Sequence, residues 1–118
     1  MRTDPIISAD DHMDLNVMPP DLFVGRLRSA YGARAPRVIE TDDGPFWMLE
    51  GKRLRPSGRR GAGHVQESHG LRPGVPEHRL EDMDRDGVFC QIVYGPPGGF
   101  GFVDDVDLRA ACYRAYND

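Results

Sequence analysis

No stretch of this sequence approaches the ~20 consecutive apolar residues that cross a bilayer. The opening Met1-Arg2-Thr3-Asp4-Pro5 also lacks the apolar segment of a secretory leader. No membrane partner is therefore expected, and cytoplasmic residence is. Positive charge is not in excess: 15 Lys and Arg stand against 19 Asp and Glu, a formal net charge of −4. That balance gives no general attraction for nucleic acid. Cysteine is scarce. Cys90 and Cys112 lie in apolar surroundings rather than in a spaced framework, so both read as reduced, buried thiols. No internal repeat is visible. At 118 residues the chain has room for one domain with a modest core.

What is abundant is loop. The 14 Gly and 10 Pro together approach a fifth of the chain. Between these breakers the regular elements are legible. Ile6 to Ala9 is a short, β-branched run that reads as a buried strand. Pro20 suits a first helical position, and Leu22, Phe23, Arg26, Leu27, Ala30 and Tyr31 follow at helical spacing before Gly32 closes the helix. Residues 37–50 read as an inserted β-hairpin, with Arg37–Glu40 and Phe46–Glu50 joined through Asp-Gly, and Gly51-Lys52 turning the chain toward Arg53–Arg55. Residues 56–76 read as a flexible, basic, Gly-rich loop. Its Arg59 and Arg60, with Arg55, either keep the segment in water or offer an anion site.

Pro76 then opens a helix through Arg85, with Leu80 and Met83 as its apolar side, and Gly87 stops it. Val88–Tyr94 is nearly all apolar, as expected of a parallel strand covered on both faces. A last helix begins near Asp104 or Asp105 and carries Leu108, Ala111, Cys112, Ala115 and Tyr116 on one side. Without the hairpin and loop the order is β-α-β-α, which argues for an α/β fold with a parallel sheet.

The chemistry-bearing feature is Ile6-Ile7-Ser8-Ala9-Asp10-Asp11-His12. Residues two apart on a strand point to the same side, so Asp10 and His12 converge at the strand's end. A carboxylate oxygen and an imidazole nitrogen at one point form half of a divalent-metal site. A plainer reading has Asp10 and Asp11 end the strand and cap local amides.

The other histidines are less specific. His64 and His69 are five apart, which fits neither one helix face nor His-x₃-His, so they read as solvated loop residues. His78 opens a helix and reads as a surface or partly packed residue. Gly95–Gly101 has neither G-x-G-x-x-G nor Walker spacing. As the loop after a strand it is either a pocket rim, with Gly95, Phe100 and Phe102 toward a substrate, or a turn-rich connection. Phe46, Trp47 and Met48 read as packing against a neighbouring helix.

Ile6–Asp14, with Pro19-Pro20-Asp21-Leu22-Phe23, resembles the opening of amidohydrolase-related proteins, in the branch that includes aminocarboxymuconate-semialdehyde decarboxylase. Arg72-Pro73-Gly74, Arg79–Val88, Ile92–Pro96, Asp107-Leu108 and Tyr116-Asn117-Asp118 resemble that family's next strand and its flanking helices. The resemblance implies the N-terminal portion of a metal-dependent (β/α)₈ barrel, a fold that takes ~250 residues. It implies Asp10 and His12 as metal ligands. Zn²⁺ is the first choice of ion, and Mn²⁺ is compatible because the acid replaces a histidine. It implies hydrolysis of a C–N or C–O bond, or non-oxidative decarboxylation, of a small-molecule carboxylate or amide. Further ligands and catalytic residues are expected beyond residue 118, which makes this chain alone an inactive fragment, and the parent is expected as a homodimer. The alternative from another class is a small non-catalytic α/β binding module.

Overall fold

The computed structural model describes residues 4–61, 64–65 and 72–118. The chain runs β1 (Ile6–His12), α1 (Val24–Tyr31), β2 (Arg37–Thr41), β3 (Gly44–Leu49), β4 (Lys52–Pro56), β5 (Arg59–Gly61), β6 (His64–Val65), α2 (Pro76–Asp86), β7 (Val88–Tyr94) and α3 (Val106–Asn117). The architecture is mixed α/β. β1 and β7 pair in parallel, β2-β3-β4 form an antiparallel meander, and β5-β6 form a short antiparallel ribbon. That ribbon lies within the span read as loop. His69 lies outside the described residues.

The local chemistry explains the elements. α2 begins with Pro76 in its first turn, carries Glu77 there and Arg85 in its last turn, and so complements its dipole at both ends. Gly87, at φ 71°, ends it in the left-handed conformation, its N–H returning to the carbonyls of Met83 and Asp84. α3 is capped by Asp105, whose carboxylate accepts from the amides of Asp107 and Leu108. α1 starts at Val24, later than Pro20 suggested, because tight turns (Leu22 N–H to Pro19 O, Val24 N–H to Asp21 O) precede it.

The β2–β3 turn is tighter than the Asp-Gly signal indicated. Thr41 stands opposite Gly44, which leaves Asp42-Asp43 as the turn and puts Pro45 into the strand. The β3–β4 turn is Glu50-Gly51, both at positive φ (50° and 76°), the geometry that two-residue hairpins favour. Glu50 is held in that costly conformation by Arg34, which donates to its carboxylate at 3.1 and 2.7 Å.

The core lies between the meander and the two helices α1 and α3. Phe23 meets Trp47 edge-to-face at 5.7 Å and Phe100 at 5.9 Å. Phe100 meets Tyr113 at 5.2 Å. Such perpendicular aromatic contacts add to the energy of burial. Leu15, Met18, Leu27, Ala35, Leu49, Val103, Leu108, Ala111, Cys112 and Ala115 complete the cluster. Trp47 therefore packs as its sequence context indicated.

The parallel pair differs from expectation. The composition of β7 predicts a strand covered on both faces, yet Phe89 is 75% exposed, and Ile6, Ile7, Ile92, Val93 and Tyr94 are exposed with it. Cys90 is exposed too, and only Cys112 is buried. Leu80, read as part of the packed side of α2, is also exposed. The shared reason is that α2 lies against β7 and no other layer among the described residues covers this two-stranded sheet.

Two outcomes follow. Trp47→Ala should cost about 3–5 kcal/mol by chemical denaturation, as expected for deleting a fully buried indole. The chain should self-associate and bind an apolar dye through the β1–β7 sheet. A Phe89→Ser, Ile92→Ser double variant should lower both light scattering and dye fluorescence. A monomeric wild-type chain with no dye binding would contradict the second expectation.

Candidate functional site

Parallel pairing brings the C-terminal ends of β1 and β7 together, with His12 opposite Tyr94. The ladder is not regular. Ser8 pairs with Gln91 and Asp11 with Val93, so three steps along β1 match two along β7. One extra residue on β1 is a bulge, a device that re-aims side chains at a strand's end.

At this point Asp10 and His12 meet. Asp10 Oδ1 lies 3.2 Å from His12 Nε2. The other ring nitrogen, His12 Nδ1, lies 3.0 Å from the carbonyl oxygen of Gly95. The Gly95 carbonyl and the Asp10 carboxylate are both acceptors, so the ring serves both only with a hydrogen on each nitrogen, and a ring with one hydrogen turns a lone pair toward one of the two oxygens. Two lone pairs at this separation are compatible only with a proton or a cation between them. Oxygen and nitrogen ligands at tetrahedral zinc, each ~2.0–2.2 Å from the ion, stand about 3.4 Å apart. The observed spacing therefore suits either a charge-assisted hydrogen bond or two vertices of a metal site. The carbonyl behind Nδ1 is the kind of outer partner that fixes a ligating histidine. Asp10 is 87% exposed and His12 43%, so solvent and solutes reach the pair.

The neighbouring acids have other duties. Asp14 accepts from the Leu15 amide at 2.7 Å and pairs with Arg55 Nε at 2.8 Å. Asp11 faces Arg79. The capping role that the plainer reading gave to Asp10 and Asp11 thus falls to Asp14. Among the described residues no group of three His, Cys, Asp or Glu side chains is arranged to hold an ion.

The remaining candidates separate. Gly95 is at the site through its carbonyl. Phe100 is fully buried in the aromatic core and offers no surface to a substrate; its amide donates to Tyr113 Oη. Phe102 is on the surface, with Lys52 Nζ 5.7 Å from its ring. His78 pairs with Glu81 on the outside of α2.

Sequence reasoning missed Arg79 and Tyr116. Tyr116 reads as part of an apolar stripe, yet its hydroxyl donates to the carbonyl of Met13, just past the Asp10–His12 pair. Met13 also donates its amide to Tyr94 O at 3.0 Å. A buried phenol needs such a partner, and that need was the available signal. Burial pushes the Tyr116 hydroxyl up to about 12; Asp14 adds to the shift and Arg79 opposes it.

Neither a protein-family model nor a curated protein sequence matches the chain. Among the described residues, no helix is long and apolar enough to cross a membrane.

Raised values on acidic groups set an alkaline limit. Cys112, pushed up by burial to about 11 from 9.0, and Tyr116, about 12 from 10.0, hold their protons more tightly folded than unfolded. Their contribution to stability is complete below pH 9 and is lost as pH rises through 9 to 12. Denaturation midpoints should fall across that window. Tyrosinate absorbance should show one of the four tyrosines ionising about two pH units late. Tyr116→Phe should remove that late step.

Proposed function

We propose that this chain forms the first part of a metal-dependent amidohydrolase-related barrel enzyme, a hydrolase or non-oxidative decarboxylase acting on a small carboxylate or amide. The observation that carries this is the Asp10–His12 pair at 3.2 Å, with His12 Nδ1 bound to the Gly95 carbonyl, at the C-terminal end of two parallel strands. Active sites of parallel α/β folds gather at that end. The residue pattern around the pair adds the family resemblance.

In this proposal Asp10 Oδ1 and His12 Nε2 are the first two ligands of a divalent ion, Zn²⁺ before Mn²⁺. The ion supplies Lewis-acid polarisation of a substrate carbonyl or of a bound water. The chain's own contributions are definite. Asp10 brings one negative charge and a hard oxygen donor. The Gly95 carbonyl accepts from Nδ1–H when Nε2 is given to the ion. Tyr94, whose ring lies 5.7 Å from that of His12, supplies an apolar wall beside the pair. Two protein ligands do not complete a catalytic site, which takes three or more. The proposal assigns the others to later strands of the same barrel.

The second proposal, a non-catalytic α/β module, is favoured by the closed aromatic core of α1, α3 and the meander, which needs nothing further to be buried.

Calorimetric titration of the 118-residue chain with Zn²⁺ and Mn²⁺ tests the metal assignment. Binding should be weaker than about micromolar, because the ion stays mostly hydrated. Asp10→Asn and His12→Ala should each remove what binding there is. A titration unchanged in both variants would reject the assignment. A submicromolar site abolished by His12→Ala would instead reject the need for further ligands.

A further inference from the structure

α1 and α3 pack against each other, and a cleft of about 380 Å³ opens between them. Its floor is apolar. Leu27 comes from α1, while Ala111 and Ala115, one turn apart, come from α3. All three belong to the buried core, so the recess reaches down to it. The two alanines leave room that longer side chains would fill. A volume of this size lies within the range of small-molecule sites.

The rim is polar, and its charge is positive. Arg26 of α1 donates from Nη1 to the Ala115 carbonyl at 2.6 Å. That carbonyl is among the last four of α3, which have no amide partner in their own helix. The bond joins the two helices, holds the guanidinium at the cleft and uses one of its five N–H donors. Arg114, in the last turn of α3, lines the same cleft. Among the described residues its guanidinium has no ion-pair or hydrogen-bond partner. Tyr31 adds a half-buried ring and a hydroxyl. Asp118 is the one acid of the lining, and neither arginine is paired with it. Two cations against one acid reverse, at this place, the sign of a chain whose net charge is −4.

We propose that this cleft binds a small organic monoanion, a carboxylate that carries an aryl or short alkyl body. The apolar floor takes the body, and Arg26 and Arg114 take the carboxylate. Planar guanidinium groups match the two oxygens of a carboxylate. Arg26 is already held by Ala115, so little freedom is lost when it binds. A surplus of one positive charge suits a monoanion. A bare inorganic ion would leave the apolar floor in water. Arg114 has a plainer duty as well, since a cation in the last turn complements the α3 dipole. That duty concerns stability and predicts no binding of an added carboxylate, so experiment separates the two roles. None of the lining residues belongs to the Asp10–His12 site, and the proposal is independent of the metal assignment.

The probe is naphthoate, compared with naphthalenemethanol, its neutral counterpart, and with inorganic phosphate. Binding is followed by ¹H–¹⁵N correlation spectra of the Phe89→Ser, Ile92→Ser chain, which lacks the competing apolar surface of the β1–β7 sheet. Equilibrium dialysis of the unsubstituted chain serves if that variant does not fold. Naphthoate should bind with a Kd of about 1 mM, the affinity that ordinary ligand efficiency gives a molecule of this size. It should shift the amides of Leu27, Tyr31, Ala111 and Ala115. The alcohol and phosphate should each bind at least about fivefold more weakly, the worth of a hydrogen bond to a charged group at an open site. Arg114 is exposed and unpartnered, so Arg114→Gln should fold normally and weaken naphthoate by about fivefold. Arg26→Gln should weaken it too, and if that variant does not fold, Arg114→Gln decides. The proposal is overturned if naphthoate does not bind, binds no better than the alcohol, shifts only residues outside α1 and α3, or binds equally well to Arg114→Gln.

Discussion

The parallel pairing of β1 with β7 is the constraint on which the rest depends. It joins residues more than eighty positions apart, His12 with Tyr94, and everything at the candidate site is a consequence of that register. The Gly95 carbonyl reaches His12 because the chain leaves β7 there. Closing so long a loop is entropically expensive. Two strands are a poor return for it unless other links share the cost. Arg79 bridges the strands from α2, and Tyr116 secures the backbone just beyond β1 from α3.

Polar and apolar forces divide the molecule between them. The meander and the α1–α3 pair are held by a conventional aromatic core, in which Trp47, Phe23 and Phe100 are fully buried. The sheet that carries the candidate ligands has little of this. It is organised by directed contacts from Arg79, Tyr116 and the Gly95 carbonyl. Arg34 does the equivalent work at the other side of the core, joining Glu50 at the β3–β4 turn to Asp105 at the start of α3. The Asp105 carboxyl is held below its ordinary range by the Leu108 amide and then by Arg34, so cap and bridge reinforce each other.

The elements were legible because their signals are local. Gly87, Asp105 and the apolar run Val88–Tyr94 each mark a boundary through nearest-neighbour chemistry, and α2, β7 and α3 fall where those signals put them. The contact of Asp10 with His12 was legible from strand geometry alone, although a bulge, invisible in the sequence, lies just behind it. Burial was less legible. Phe100 sits in a Gly-rich loop that invites a place at a pocket, and the rings that bury it come from Tyr113 of the following helix and from Phe23, which precedes α1 and lies far away in sequence. Cys90 and Phe89 carry the composition of a covered strand, but composition does not say what does the covering. Arg79 and Tyr116 were missed for the same reason: their partners are chosen by tertiary placement, and no spacing encodes that.

Tyr116 gives the site a particular place in the order of assembly. Its hydroxyl holds the carbonyl of Met13, so the backbone that follows β1 takes its final support from a residue near the end of α3. A ribosome releases β1 before β7 and α3. β1 thus waits for its partner β7, and longer still for Tyr116. Its C-terminal end is made before its partners and set only after them. Until then Asp10, Asp11 and His12 sit on a strand without its neighbour.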